Sequence, residues 1–281
     1  MTALDAAGPN AAQIAYWNEN GGPNWVAMQD ELDRELEPLG LAAMAALAPR
    51  AGERLVDIGC GCGTTTRELA RRVGPEGGVL GVDISAPMLA VARERAAAAG
   101  LTQAHFIQAD AQVYAFEPVD GAFSRFGVMF FENPTAAFAN IRRGLRPGGR
   151  VGFVCWRPLA LNPWMTTPMQ AVLPLLPAPP PAPVPGAPGP FAFDDRDRLF
   201  EILKGAGFLD ISIEPHDARV NWGDLDTSVR MGMRLGPVAG LVREHPHLKD
   251  AMADAIRVAL IPYAGEGGVQ LGSASWIVLA K

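Results

Sequence analysis

The sequence is short of the residues that would commit it to several common designs. Three cysteines in 281 residues do not make a disulfide framework. Two of them, Cys60 and Cys62, share one glycine-rich stretch. With only Cys155 beyond, they fall short of the ligand set that a structural zinc requires. No lysine- or arginine-rich run is present, and a net charge of −6 lacks the basic footprint of a nucleic-acid binder. No uninterrupted apolar run reaches the length of a membrane span. The first ten residues also lack the basic-then-apolar order of a signal peptide. These absences predict a cytoplasmic protein with no metal site, no membrane span and no nucleic-acid partner. What remains is 49% hydrophobic and 19% charged, enough to bury a core as one large domain or as a core with an inserted cap. No internal repeat is visible.

The chain is organised around residues 55–66. Leu55, Val56 and Ile58 read as a short buried strand, and from Thr64 the pattern turns helical, with Leu69 and Val73 on one face. Between them Gly59, Gly61 and Gly63 alternate with Cys60 and Cys62. A strand there must turn sharply and let a ligand touch bare backbone, facing the amides that open the next helix. A phosphate loop would need Gly-Lys-Ser/Thr, and no lysine follows Gly63. The dinucleotide pattern G-x-G-x-x-G puts a threonine, Thr64 or Thr66, in its last glycine place. The pattern present is Asp57-x-Gly59-x-Gly61-x-Gly63.

Either side of this unit the sequence predicts a regular rhythm. Residues 10–48 read as an N-terminal helical lid, with Trp17 and Trp25 flanking a break at Asn20-Gly21-Gly22-Pro23-Asn24. Further strands are expected at 78–83, 105–108, 122–126 and 150–156, with helices at 86–99 and 134–145 between them. That alternation means a parallel sheet with helices on both faces. Residues 157–195 break the rhythm: twelve prolines fall between Pro158 and Pro190, and this stretch is read as a cap insertion with a polyproline-like tip. Residues 196–281 are read as the remaining part of the sheet with helical cap elements: helices at 194–206, 225–242 and 247–260, strands at 208–213 and 275–280.

In such sheets ligands bind beyond the carboxyl ends of the strands. Asp57, Asp83 and Asp110 each stand at or just past the end of one of the first three. Asp83 lies near the spacing expected for an acid that accepts both hydroxyl hydrogens of a ribose. Together these residues resemble class I S-adenosylmethionine-dependent methyltransferases over residues 50–156. The similarity is to small-molecule enzymes of the ubiquinone/menaquinone-biosynthesis type. The resemblance implies a Rossmann-like, doubly wound α/β fold. It also implies a cofactor site holding S-adenosyl-L-methionine, or S-adenosyl-L-homocysteine as product. The Asp57, Gly59, Cys60, Gly61 and Gly63 loop would hold the methionine part and Asp83 the ribose. Ile84 and Met88 would pack beside the adenine, and Ala109-Asp110-Ala111 would meet its amino group. Ser124-Arg125-Phe126 would lie beneath the sulfonium, and Trp17 and Trp25 would belong to a cofactor lid.

Departures narrow the acceptor. Ser124-Arg125-Phe126-Gly127 is unlike the Asn/Asp-Pro-Pro-aromatic motif of amino-methylating DNA and protein enzymes, and the metal-binding carboxylates of catechol-type enzymes are absent. The expectation is metal-independent, in-line methyl transfer to a small aromatic or apolar acceptor. Its pocket would be built on Trp156, Arg157, Asn162 and Trp164. His216, His245, His247 and Tyr263 are base candidates by chemistry alone, and no catalytic residue is assigned. The alternatives are an NAD(P)-dependent oxidoreductase on a similar sheet, or a protein that binds the cofactor without methylating.

Overall fold

Three helices, α1 (Ala11–Glu19), α2 (Gly21–Ala27) and α3 (Gln29–Leu47), precede the first strand in a computed structural model that describes residue 4 and residues 10–181 and 184–281. The leader expectation for the first residues falls largely outside the described residues, as do positions 182 and 183 of the proline run. The middle of the chain then alternates: β1 (Arg54–Ile58), α4 (Thr64–Val73), β2 (Gly78–Asp83), α5 (Ala86–Ala98), β3 (Ala104–Gln108), β4 (Val119–Arg125), α6 (Pro134–Arg143) and β5 (Leu145–Trp156). After it come α7 (Pro163–Val172), α8 (Arg196–Gly205), β6 (Ile211–Asn221), α9 (Leu225–Arg234), α10 (Gly236–Glu244), α11 (Lys249–Leu260), the two-residue β7 (Ala264–Gly265) and β8 (Gly268–Ala280).

The strands lie in the order β3-β2-β1-β4-β5-β8-β6. The first five are parallel, and β8 runs antiparallel to both β5 and β6. This is a Rossmann-like sheet. The strand order reverses beside β1, and Val56 pairs with Leu80 on one side and Ala122 on the other. The carboxyl end of β1 is therefore the switch point, where such sheets bind ligands. Phe123 and Phe153 at the sheet centre are fully buried, and Phe138 of α6 packs 5.3 Å from Phe153 on one face. Leu39, Met44 and Leu47 of α3 are also fully buried, and Leu47 closes over Gly121 and Gly152.

Arg150 locks α3 to the far end of the sheet. Its guanidinium donates to both oxygens of Glu53 at 2.9 Å and to the carbonyls of Leu47 (2.6 Å) and Ala48 (2.8 Å). Burial works against the charged form of Glu53, but the Arg150 bonds outweigh it and hold the carboxyl below its ordinary value.

Several sequence expectations are corrected. The break expected over 20–24 falls at Asn20, between α1 and α2, and Gly21-Gly22-Pro23 already opens α2, because the proline sits in the first turn, where its missing N–H is no loss. Residues 225–242 form two helices, since Gly236 adopts a φ of 57° ahead of Pro237. The proline-rich stretch contains a regular helix, α7, which starts on Pro163 and runs through Pro168. The strands expected at 208–213 and 275–280 are longer, and β6 and β8 pair from Ile211↔Ala280 to Asn221↔Gln270. Pro215 fits because β6 is an edge strand whose outer side has no partner.

Candidate functional site

The turn after β1 is possible because Gly59, Gly61 and Gly63 have φ of 66°, 54° and 77°, in the left-handed region. Gly59 is also a close crossing: a Cβ there would lie 2.7 Å from the Gly127 Cα, so the β1 and β4 turns touch backbone to backbone. Ser124 fastens that crossing. Its hydroxyl donates to the Ile58 carbonyl at 2.8 Å and accepts the Gly127 amide at 3.1 Å. Fully buried, it therefore clamps the two turns and does not face outward as a ligand group.

Asp57 is fully buried under this loop. Its Oδ2 accepts the Thr65 and Thr66 hydroxyls at 2.7 and 2.6 Å, while its Oδ1 has no partner among the described residues. Burial pushes its pKa up to about 6, against the two threonine bonds and the Arg125 charge. Asp83 closes the loop from the side: it accepts the Gly61 and Ser85 amides, each at 2.8 Å, and burial again raises its pKa. Asp110 accepts the Gln112 amide at 2.9 Å at the end of β3. Met88 packs against Gly61, and Ala109 and Ala111 are buried in the turn after β3. The carbonyl of Ile84 accepts the side-chain amides of Asn18 and Gln108.

The helices before β1 are pinned to the same place. Ser85 donates to the Trp17 carbonyl at 2.8 Å, and the Ala86 amide donates to Asn18 Oδ1 at 3.0 Å. Trp17 meets Phe130 edge-on at 5.2 Å and Trp25 at 6.1 Å. Gly22 makes this approach possible, since a Cβ there would fall 2.2 Å from the Trp17 carbonyl oxygen and 2.4 Å from Ser85 Oγ. Gly22→Ala should break the latch. Amide hydrogen exchange over residues 11–27 is expected to accelerate relative to the wild type, and unchanged protection would show that the latch is not what holds these helices.

Arg125 and Phe126 end β4. Arg125 donates to Asp33 Oδ1 at 3.2 Å, and Asp33 Oδ2 accepts the Thr64 hydroxyl at 2.8 Å, so α3 seals the start of α4. Phe126 holds a φ of 61°, unusual for a residue with a side chain, and its ring stacks on Trp156 at 4.1 Å. Trp156 leads on to Trp164 at 4.8 Å and Trp164 to Trp222 at 6.5 Å, a row of rings running from the end of β4 towards the end of β6.

Two residues expected in the acceptor pocket are used otherwise. Asn162 is fully buried; its Oδ1 accepts Trp164 Nε1 and the Ala274 amide, each at 2.9 Å, and its Nδ2 donates to the Arg157 and Pro158 carbonyls. No bonding capacity is left for a ligand. Arg157 turns away, paired with Asp217 at 2.6 Å over the Trp276 ring. Asp33, which accepts from Arg125 and Thr64, and Trp222, which ends the ring row, enter the site without having been singled out. For Asp33 the available signal was an acid beside the buried Leu32 of α3.

The Cys60 and Cys62 thiols are buried, which raises the first well above its ordinary value and the second to about 12, so both stay neutral and act as small packing groups. Among the described residues no three His, Cys, Asp or Glu side chains come together as a metal site would need.

Residues 55–149 match the family described as "Methyltransferase domain". Nocamycin O-methyltransferase of Saccharothrix syringae is 29% identical over 183 residues, covering 62% of this chain and 65% of that protein. A ubiquinone/menaquinone biosynthesis C-methyltransferase of Stutzerimonas stutzeri is 38% identical over 105 residues, 36% of this chain and 41% of the relative. The matched stretches thus span less than two thirds of each curated relative. Among solved structures, a phosphoethanolamine N-methyltransferase of Haemonchus contortus in complex with S-adenosyl-L-methionine superposes with a TM-score of 0.53. It is 22% identical and covers 87% of this chain and 52% of that one, a likeness of fold.

Proposed function

We propose that this chain, a member of the class I S-adenosylmethionine-dependent methyltransferases, transfers a methyl group from that cofactor to a small organic acceptor without a metal. The observation that carries the reading is the cluster of residues at the switch point of the sheet. Asp57, the glycine loop, Asp83 and Asp110 converge there, beyond the ends of β1, β2 and β3. Asp57 Oδ1, fully buried beneath the loop, has no partner among the described residues.

These residues fit the cofactor. Loop amides and Asp57 would hold the ammonium and carboxylate of the methionine part, and Asp83 keeps lone pairs free beyond its two amide bonds for the ribose hydroxyls. Ile84 and Met88 would flank the adenine with Asp110 at its edge. The Phe126 and Trp156 faces suit a sulfonium cation, because aromatic faces attract positive charge. When bound, the cofactor supplies an activated methyl group, so the protein has mainly to align the acceptor and exclude water. Residues 10–48 would serve as the lid and 157–195 as the cap over the acceptor.

The acceptor would lie along the ring row of Phe126, Trp156, Trp164 and Trp222, which favours a planar, largely apolar molecule. The relatives support this range: one is named for O-methylation of nocamycin, the other for C-methylation in quinone biosynthesis. A nicotinamide-dependent oxidoreductase is not favoured. Calorimetric titration tests the reading: one S-adenosylhomocysteine per chain and no heat with NAD is the expected outcome. Saturable NAD binding without S-adenosylhomocysteine binding would overturn it.

A further inference from the structure

A groove of about 570 Å³ opens where α3, the turn after β6 and the β7–β8 hairpin meet, a size suited to a small molecule. β6 runs antiparallel to β8, and β8 antiparallel to β5, so β6 ends on the same edge of the sheet as β5. Arg34, Asn221, Gly223, Asp224 and Glu266 line this groove. Trp222 turns inward, 1% exposed, so the groove lies outside the ring row.

Its walls are tied together. Asn221 spans them, its Nδ2 donating to the Gly267 carbonyl at 2.9 Å and its Oδ1 accepting the Gly223 amide at 2.8 Å. The Val269 amide donates to the Gly223 carbonyl at 2.7 Å. A Cβ on Gly268 would fall 2.6 Å from that carbonyl oxygen, so turn and hairpin meet with no side chain between them.

The charges inside are set apart. Arg34 is exposed and makes no ion pair or side-chain hydrogen bond among the described residues. Its guanidinium rests on the turn, since a Cβ on Gly223 would lie 2.8 Å from Arg34 Nη1. Asp224 caps α9, its Oδ1 accepting the Thr227 amide at 2.7 Å. That bond holds its carboxyl below the ordinary value, so it stays charged. Glu266, between β7 and β8, is exposed and has no ion-pair partner among the described residues. One guanidinium and two carboxylates therefore share the groove without pairing with one another. A simple anion would meet two like charges there, and a simple cation would meet Arg34. A molecule that carries both charges suits both ends, and Leu225 and Val269 offer apolar surface to the rest of it.

We propose that this groove binds a small zwitterion of the amino-acid type, with its carboxylate on Arg34 and its ammonium on Glu266. The planar guanidinium can donate two parallel hydrogen bonds to a carboxylate and so fix its orientation. The site goes beyond the methyltransferase reading and does not depend on it, because its residues belong to α3 and to the β6 and β8 end of the sheet.

The probe is leucine, titrated calorimetrically into the full chain with and without saturating S-adenosylhomocysteine. One leucine per chain is expected in both conditions, since the groove is apart from the glycine loop. Leucine amide lacks the carboxylate and should bind at least about tenfold more weakly than leucine. The ammonium-free analogue 4-methylpentanoate should bind about threefold more weakly or worse, the scale of an exposed ion pair. Arg34→Met should weaken leucine at least about tenfold while leaving leucine amide unchanged. Glu266→Gln should weaken leucine about threefold without weakening 4-methylpentanoate. Both side chains are exposed, so both variants should melt with the wild type. No saturable heat with leucine at millimolar concentration, or equal leucine affinity in the wild type and Arg34→Met, would overturn the proposal. Loss of the leucine signal when S-adenosylhomocysteine is bound would do so too, because it would put leucine in the cofactor site. Failure of S-adenosylhomocysteine itself to bind would count against the methyltransferase reading alone.

Discussion

Asp83→Ala is expected to weaken S-adenosylhomocysteine binding by at least about tenfold, because each charged hydrogen bond lost is worth roughly 1.5–3 kcal/mol. Two losses combine in this variant. The carboxylate that would meet the ribose disappears, and so does the acceptor that holds the Gly61 and Ser85 amides at 2.8 Å. Asp83→Asn separates them: its one carbonyl oxygen can keep one amide in place while the charge is gone, so its affinity should fall between wild type and alanine. Isothermal titration of the three proteins decides the matter. Equal affinity in all three would remove Asp83 from the cofactor site.

The largest effect on stability should come from Asn162→Ala. Four hydrogen bonds go at once, two buried and two partly buried, and the Trp164 N–H and Ala274 N–H are left without acceptors. A buried donor stranded in this way costs about 1–3 kcal/mol, so a loss of about 3 kcal/mol, or a fall of about 8 °C in Tm, is expected. A substrate-contacting amide would behave differently, raising KM while the melting point stayed where it was. Calorimetric melting beside kinetics on the same samples tells the two apart.

Asn162 also shows where sequence reading stops. An amide among tryptophans after a strand looks like an orienting group in a pocket. Its role depends on β8, more than a hundred positions away, and no local pattern announces that contact. The glycine loop and the three strand-end acids lie at the other extreme. Their spacing is fixed by local backbone geometry, so Asp57, Gly59, Gly61, Gly63, Asp83 and Asp110 could be placed before any coordinates. The alternating strands and helices from residue 54 to residue 156 were legible for the same reason, since each buries an apolar run that declares its period. Of β6 only the start was, as the end of the strand expected at 208–213, because the stretch with Pro215, His216, Asp217 and Arg219 carries little apolar signal. Asp33 and Trp222 were missed because tertiary packing, not a local pattern, brings them to the site.

The strand order has a consequence for how the molecule is made. β6 leaves the ribosome before β8, yet β8 is its partner in the sheet and also the link that joins it to β5. The five parallel strands can close on one another while synthesis continues, whereas β6 must wait, its ladder groups unpaired, until α9, α10 and α11 have followed it. Long-range pairing of this kind is slow, and an open strand edge in a nascent chain invites pairing with the wrong partner. The polar, proline-bearing sequence of β6 beyond Ile213 is thus what a strand exposed during synthesis requires, since proline and charge are the groups that keep a waiting edge from recruiting another chain.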